Sequence, residues 1–300
     1  MKRSDFLKNI ALLSAGTALL PKIGIFRDSP FTELRRGAGI FSMRGGTIGW
    51  LVTNDSIVVI DSQYADTAPE FLNGIDRFGG GPEKVLFNTH HHGDHTAGNK
   101  VFDENGYQII AHEQVPFLQQ RAAEAQDTEE EQSYAETTFV DSYDLDLGTE
   151  TIMAKYYGRA HTSGDSVIWL KEANIAHMGD LVFNRMYPFI DRDNGASIKG
   201  WIELLESVAE EAESDTQFIF GHGNPEYGVT GDRDDLLYMR DFLTAVLDYT
   251  QKGLNEGKSR EEIMETTSLE QFPNFISPLD FLSLPRNLDV AYHELTEENG

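Results

Sequence analysis

Hydrophobic and polar positions alternate with two different periods along the chain, and these periods predict strands and helices in turn. Residues 47–61 form two apolar runs on either side of Asn54-Asp55-Ser56, a pattern typical of two strands joined by a turn. Residues 67–79 place apolar side chains at helical spacing and run into consecutive glycines, which predicts a helix with a defined end. Residues 84–90 are a short, nearly continuous apolar run, typical of a strand buried on both faces, and they lead directly into His90.

The same order of elements recurs further along the chain. The first half ends with a strand at residues 107–112 and a helix at residues 113–125. In the second half we predict strands at residues 150–161, 166–170 and 174–183, then a helix at residues 197–212 and a strand at residues 216–223. Helices dominate from Asp234 onwards, and one of them opens with the capping box Ser259-Arg260-Glu261-Glu262. This alternation predicts one α/β domain of two similar halves rather than separable units.

Four polar residues, His90, His161, Asp180 and His222, share one position relative to these strands. Each follows an apolar, strand-like run and has small or turn-forming residues close behind it. In α/β folds, side chains gathered from the ends of several strands build sites in the crevice at the edge of the sheet. We therefore expect these four residues to meet.

The charge of the protein restricts its partners. The 300-residue chain has 50 acidic and 24 basic residues, which gives a formal charge of −26. Such a surface repels nucleic acid and anionic membranes, so we expect a small-molecule substrate and no nucleic-acid partner. Solubility or a salty habitat is the simple explanation of the acidic excess, and an acidic docking surface is the alternative.

The chain contains no cysteine. This excludes disulfides, thiolate nucleophiles and every zinc site that needs sulfur.

Residues 1–24 resemble an export signal. Lys2, Arg3 and Lys8 precede an apolar run at residues 10–20 that is too short to span a bilayer but suits the apolar core of a secretory signal. The start also resembles a twin-arginine signal in which Ser4 replaces the second arginine. We expect an exported, periplasmic or extracytoplasmic protein without a membrane span, and a cytoplasmic protein with an amphipathic first helix is the alternative.

The sequence His90-His91-His92-Gly93-Asp94-His95 has the spacing of a metal site. At a strand end, residues i and i+2 project to the same side, so His90 and His92 can bind one ion together. We expect Gly93 to let the backbone turn tightly, so that Asp94 and His95 face a neighbouring position. A polar histidine run on a solvated loop is the alternative for this stretch taken alone.

Each of the two positions still needs a ligand from elsewhere, and His161 and His222 are natural donors. Asp180 is a carboxylate that can bridge two ions. Imidazole and carboxylate ligands suit Zn²⁺, with iron or manganese as alternatives. Three protein ligands per ion leave a position for water, and two ions ~3.5–4 Å apart can share a hydroxide and lower the pKa of its parent water to about 7.

The run "THHHGDH" resembles the H-x-H-x-D-H signature of the metallo-β-lactamase superfamily. The later "GRAHTSGD", "HMGDLVFN" and "FGHG" are similar to the remaining ligand motifs of that family, in the same order, and the resemblance covers roughly residues 40–230. It implies a four-layered αβ/βα sandwich at residues 37–300, with helices of residues 232–300 packed on it. It also implies one metal held by His90, His92 and His161, a second held by Asp94, His95 and His222, and Asp180 between them.

Departures from the family pattern limit the branches of the superfamily that the chain can resemble. The cysteine-bearing zinc β-lactamases have a thiolate ligand near the position of Asp180, and this chain has none, so it is closer to the glyoxalase II and lactonase branches. The second position of the histidine motif is His92 rather than glutamate, which is unlike the flavodiiron proteins. The resemblance implies that Asp61 supports the site by orienting a ligand imidazole. Capping of the turn that follows Asp61 is the alternative.

The function we expect is that of a dinuclear zinc hydrolase, in which a metal-bound hydroxide cleaves an amide, ester, lactone or thioester bond. Asp94 would position the nucleophile and pass a proton to the leaving group. An iron-dependent redox enzyme and a non-catalytic metal-binding module are the alternatives. The ligand residues fix neither the substrate nor the oligomeric state.

Other residues have weaker claims on the site. Asn184, Arg185 and Tyr187 lie in the loop after Asp180 and are candidates for substrate contacts, with Arg185 as a clamp for a substrate carboxylate. Loop packing is the alternative for all three. Trp201 and residues 272–284 are candidates for the pocket wall. The remaining histidines are expected to be structural: His91, His112, His177 and His293.

Overall fold

The computed structural model of the protein describes residues 29–297. The export signal expected at residues 1–24 lies outside the described residues. Among the described residues, no helix combines the length and the apolar character needed to cross a membrane.

The first sheet has seven strands in the order β1 to β7. Neighbours from β1 to β4 are antiparallel, and neighbours from β4 to β7 are parallel. The strands are β1 (Phe31–Glu33), β2 (Ala38–Phe41), β3 (Ile48–Val52), β4 (Ser56–Ile60), β5 (Glu83–Asn88), β6 (Gln108–His112) and β7 (Thr137–Phe139). The helices of this half are α1 (Ala68–Ile75), α2 (Gly93–Thr96), α3 (Asn99–Glu104) and α4 (Gln114–Glu124).

The second sheet has six strands in the order β15-β13-β11-β10-β9-β8, all antiparallel except for the pair β11 and β13. They are β8 (Ser142–Asp146), β9 (Thr151–Tyr156), β10 (Ser166–Leu170), β11 (Ile175–His177), β13 (Gln217–Ile219) and β15 (Thr230–Gly231). A separate parallel pair is formed by β12 (Phe183–Asn184) and β14 (His222–Gly223). The helices are α5 (Ile198–Glu211), α6 (Arg233–Asn255), α7 (Arg260–Ile263) and α8 (Leu284–Glu297).

Strand β4 shows how the sequence produces four layers. Successive side chains of a strand point to opposite faces, so a continuous apolar strand packs on both sides. Ile57 and Val59 pack toward α1, in a core that includes Phe71. Val58 and Ile60 pack toward the second sheet, in a core that includes Ile152 and Ile168.

The second sheet repeats this arrangement on β10. Val167 and Trp169 pack on the other side from Ile168 and Leu170, against the helices α5, α6 and α8. The two sheets therefore lie face to face between two helical layers, and the predicted αβ/βα sandwich with C-terminal helices is confirmed.

The prediction that helices dominate from Asp234 holds for α6, α7 and α8, but residues 264–283 run in turns and bends. Pro273 and Pro278 lack the amide hydrogen that a helix interior needs, which accounts for the interruption. Phe275 anchors this segment, because its ring stacks on Phe242 of α6 with the centroids 4.3 Å apart.

Candidate metal centre

Seven polar side chains from the two sheets meet in two adjoining groups. The first sheet supplies four of them from the turn after β5 and from α2: His90, His92, Asp94 and His95. The second half of the fold supplies three, from the loop after β9, the 3₁₀ turn Gly179–Leu181 and strand β14 of the separate pair: His161, Asp180 and His222. All seven residues predicted as ligands are thus brought together.

The first group consists of His90, His92, His161 and Asp180. The Nδ1 atom of His92 lies 3.1 Å from Nε2 of His90 and 3.0 Å from Nε2 of His161. Asp180 Oδ2 lies 3.7 Å from each of those two Nε2 atoms. All four candidate ligand atoms fall within 4.8 Å of one another, which is the spacing of atoms around a single ion.

The second group consists of Asp94, His95 and His222, and it also reaches Asp180. Asp94 Oδ2 lies 3.1 Å from His222 Nε2, which is 3.4 Å from His95 Nε2. The other carboxylate oxygen of Asp180, Oδ1, lies 3.0 Å from His95 Nε2 and 3.3 Å from His222 Nε2. Asp180 therefore turns one oxygen to each group.

Hydrogen bonds on the far side of the rings set which nitrogen faces the centre. The His161 Nδ1–H donates to the Phe189 carbonyl (2.7 Å), and the His92 Nε2–H donates to Asp191 (2.9 Å). Both acceptors lack a hydrogen, so the opposite ring nitrogen of each histidine carries a lone pair. Orientation of ligand imidazoles by such partners is the usual arrangement at metal sites.

Asp61 orients one histidine in each group. Its Oδ2 accepts from His95 Nδ1 at 2.7 Å and from the Thr89 hydroxyl at 2.8 Å. Because the Thr89 hydroxyl gives its hydrogen to Asp61, it accepts from His90 Nδ1 at 3.0 Å. Oδ1 of Asp61 accepts from the Thr89 amide, so the carboxylate joins two strand ends rather than capping the turn that follows it.

The donor set fits a cation. When the three rings are neutral, the lone pairs of His90 Nε2, His92 Nδ1 and His161 Nε2 face one another across about 3 Å. A positive ion between these atoms converts that repulsion into ligation. Nitrogen and oxygen donors without sulfur suit zinc, iron and manganese.

The pKa values in the second group also indicate a site for a cation. Burial lowers the pKa of His222, but the carboxylates of Asp180 and Asp94 outweigh it and raise this pKa to about 10. Burial raises the pKa of Asp94, but His95 and His222 outweigh it and hold this pKa at about 2. Two carboxylates thus hold positive charge on the imidazoles beside them, and a metal ion supplies such charge in place of protons.

Asp191 is a residue of the centre that sequence reasoning missed. Besides the hydrogen bond from His92, the Asp191 carboxylate accepts one from the side-chain amide of Asn194 at 2.6 Å. The backbone N–H of Asp191 donates to the His161 carbonyl. Asp191 follows the apolar run of residues 187–190, the same signal that singled out Asp180.

Gly93 corrects one expectation. It begins α2 with no positive φ, and a Cβ atom added there meets nothing within 4 Å. The chain does turn at this point, by starting a helix, but the turn does not require the conformational freedom of glycine.

The loop after Asp180 also differs from expectation. Arg185 pairs with Asp235 and lies over the rings of Tyr227 and Tyr238, so its expected role as a clamp for a substrate carboxylate is wrong. The Asn184 amide donates to the Gly228 carbonyl.

Tyr187 also packs within the protein. Its hydroxyl donates to the Thr267 carbonyl, and its ring packs on Phe242 and Phe275. Like Asn184 and Arg185, it is absent from the wall of the cavity beside the metal centre, so expected substrate contacts by these three residues give way to packing.

That cavity has a volume of about 200 Å³. Its walls come from the hairpin loop after β2, the loop after β4, α2, the loop after Asp180 and the segment before α8. Trp201 is fully buried beside His161 and donates to the Leu181 carbonyl, so it belongs to the core. The lining residues are Gly45, Tyr64, His92, Gly93, Asp94, Asp180, Phe183, Met186, Phe189, His222, Pro278, Leu279, Phe281 and Leu282.

The remaining histidines lie outside both groups. His91 Nε2 lies 3.7 Å from Asp191, on the far side of His92. His112 stacks on Tyr156, and His177 Nε2 is hydrogen-bonded to the Thr47 carbonyl. His293 pairs with Glu297 on α8.

A family model described as the metallo-beta-lactamase superfamily matches residues 43–245. The chain is 23% identical over 181 residues to a metallo-beta-lactamase type 2 of Bacteroides fragilis, covering 60% of this chain and 69% of that protein. It is 26% identical over 208 residues to a metallo-beta-lactamase type 2 of Bacillus cereus, covering 68% and 76%.

Solved structures share the fold. A metallo-beta-lactamase from Pontibacter korlensis superposes with a TM-score of 0.58 at 19% identity, covering 71% of this chain and 98% of that one. A double mutant of the sec-alkyl sulfatase PisA1 superposes with a TM-score of 0.69 at 14% identity, covering 89% of this chain and 50% of that one.

Proposed function

The chain belongs to the metallo-β-lactamase superfamily and is a metallo-hydrolase, and we propose that it binds two zinc ions and cleaves an amide, ester, lactone or thioester bond. One observation carries the proposal: two adjoining donor groups share Asp180, which turns Oδ2 to one group and Oδ1 to the other. The hydrolase domain spans residues 37–300.

The two groups have the composition of an open rather than a structural site. Each offers three residues besides the shared Asp180, and the cavity opens directly onto Asp94, Asp180 and His222. When bound, zinc supplies a water of lowered pKa and polarises a substrate oxygen.

Asp94 is the residue that acts on the nucleophile. It lines the cavity, its side chain is 24% exposed, and its pKa of about 2 keeps it ionised at neutral pH. An ionised carboxylate at this position holds the attacking water by accepting its hydrogen and relays that proton to the leaving group. His92 and His222 also line the cavity, so a substrate that reaches Asp94 lies beside both groups.

The first experiment is elemental analysis of protein purified without added metal. Two zinc ions per chain support the proposal, and iron in their place supports a redox enzyme on the same scaffold. Protein that neither carries nor takes up metal contradicts the proposal.

The second experiment measures hydrolysis of a cephalosporin, a lactone, a thioester and a phosphodiester, with and without chelator. Asp94→Ala is expected to lower kcat at least about 100-fold, the usual contribution of a positioned proton-transfer group. Asp248→Ala on the exposed side of α6 is the matched control. Activity that survives both chelation and Asp94→Ala contradicts the mechanism.

We also propose that residues 1–24 direct export. Their basic start and short apolar core support this. Fractionation of cells that express the full chain or residues 25–300 tests it. Equal cytoplasmic retention of both forms contradicts export.

A further inference from the structure

The wall of the cavity outside the metal centre is apolar. Phe183, Met186 and Phe189 project into it from the loop after Asp180 at every third residue. The other side is closed by four residues of the segment before α8: Pro278, Leu279, Phe281 and Leu282. An isolated parallel β-bridge between Met186 and Ile276 connects the two segments that form these walls.

Within residues 29–297, no lysine or arginine lines this cavity. The guanidinium of Arg185 is engaged by Asp235, and that of Arg44 pairs with Asp66 and lies 4.0 Å from the centre of the Tyr64 ring. A carboxylate placed away from the reacting bond would therefore lie against aromatic and aliphatic side chains without a partner. Removing a charge from water without a partner is strongly unfavourable.

Tyr64 is the single lining residue with a polar side chain outside the two metal-binding groups. A tyrosine phenol ordinarily keeps its hydrogen at neutral pH, and the burial of Tyr64 favours this uncharged form further by raising its pKa. A protonated phenol donates to a neutral carbonyl or ether oxygen, and the wall offers no other side-chain donor outside the metal centre.

We propose that this site selects uncharged esters or lactones with an apolar chain and discriminates against substrates that carry a carboxylate away from the reacting bond. The inference rests on the proposed hydrolase function and names its substrate class. In the reaction the water oxygen bonds to the acyl carbon and the acyl carbon–oxygen bond breaks. One proton of the water goes to the leaving alkoxide, and the second is released to solvent as the new acid ionises. The neutral substrate thus becomes a carboxylate and an alcohol, and the apolar wall disfavours the charged product.

The test compares two substrates that differ in one charge. 4-Nitrophenyl octanoate and the mono-4-nitrophenyl ester of octanedioic acid have the same chain length, but the second ends in a carboxylate. We expect kcat/KM to be at least about 100-fold lower for the charged ester, because its carboxylate loses water without gaining a partner.

A charge added to the wall gives the second readout. In Leu279→Lys the new ammonium faces the cavity, so the preference for the neutral ester is expected to shrink at least about tenfold, as a pair is formed. Pro278→Lys, at an exposed lining position, repeats the test with less risk to folding. Val140→Lys places the same charge on an exposed residue outside the lining and is expected to leave the ratio unchanged.

The outcomes separate the two proposals. Equal hydrolysis of both esters, or a ratio unmoved by both wall variants, overturns the substrate class and leaves the hydrolase function in place. Turnover of a cephalosporin or a phosphodiester without turnover of either ester does the same. Failure to hydrolyse any substrate by metal-loaded protein overturns the hydrolase function and the inference together.

Discussion

At the scale of single residues, the centre depends on acceptors that lie behind the ligand rings. Asp61 and Asp191 hold His95 and His92, and neither carboxylate lines the cavity. Both are buried, which excludes water as a competing partner for the rings. These acceptors hold the ligand rings in position, so changes behind the rings are expected to act on metal affinity.

Asp191→Ala tests this expectation. Without the carboxylate, His92 loses the bond that fixes its tautomer, and we expect metal affinity to fall about 10–100-fold. Competition with a chromophoric chelator measures the affinity. Asp193→Ala removes an exposed carboxylate two residues away and should leave affinity unchanged. Equal affinity of the Asp191 variant and the wild type contradicts the role assigned to this residue.

Asp165 makes a pH-dependent contribution to stability. Burial raises its pKa to about 7, although bonds from the Thr162 amide and hydroxyl oppose the rise. The native state then binds a proton that the unfolded state has lost, so stability falls as pH rises from about 4 to 7, by up to about 1.4 kcal/mol per pH unit. Below that window the group has no such effect, and above it the penalty is constant.

Asp165→Asn is expected to remove this slope. Urea unfolding of the metal-free protein at several pH values between 4.5 and 7.5 measures it. The variant should gain stability relative to the wild type as pH rises, while Asp144→Asn, at an exposed position of β8, should not. A stability difference between variant and wild type that does not change with pH is the contrary result.

At the scale of elements, the position of Asp180 depends on a close contact between two segments. The connection between β13 and β14 packs directly against the 3₁₀ turn at residues 179–181, which carries Asp180. A Cβ atom on Gly221 would lie 2.0 Å from Asp180 Oδ1 and 2.9 Å from the Gly179 backbone. Only glycine permits this distance, because the contact involves backbone as well as side chain.

Gly221→Ala is expected to displace Asp180 from its position between the two groups. Both metal affinities should then fall, about tenfold or more by analogy with losses of ligand-orienting partners. Calorimetric titration with zinc measures both sites. Gly93→Ala adds the same methyl group where nothing lies within 4 Å and should bind zinc normally. Unchanged binding by the Gly221 variant contradicts this account.

Elements that carry their own periodicity could be predicted from sequence, and so could the residues at their ends. Strand β5, helix α5 and the capping box at Ser259 are local patterns, and the structure contains all three. His90, Asp180 and His222 follow such patterns directly. The direction of Arg185 could not be predicted, because it depends on Asp235, 50 residues further on. The position of Tyr64 in the cavity wall likewise depends on how separate loops meet.

At the scale of the whole molecule, the metal centre joins the two halves of the sandwich. Four of its residues come from the first half and three from the second, and Asp180 of the second half is 3.0 Å from His95 of the first. Ions bound between the halves would hold them together in addition to the apolar core, and they would bind the native state in preference to the unfolded chain. Metal removal is therefore expected to lower the stability of the fold as well as activity.

Chelation is expected to lower Tm. A free metal concentration 1,000 times Kd stabilises the native state by about 4 kcal/mol, which at roughly 2 °C per kcal/mol for a chain of this size corresponds to about 8 °C. Scanning calorimetry of metal-loaded and chelated protein measures the shift. Because Asp180 serves both groups, Asp180→Ala should lose most of the difference between the two states. Loss of metal without any change in Tm would show that the ions do not stabilise the junction of the two halves.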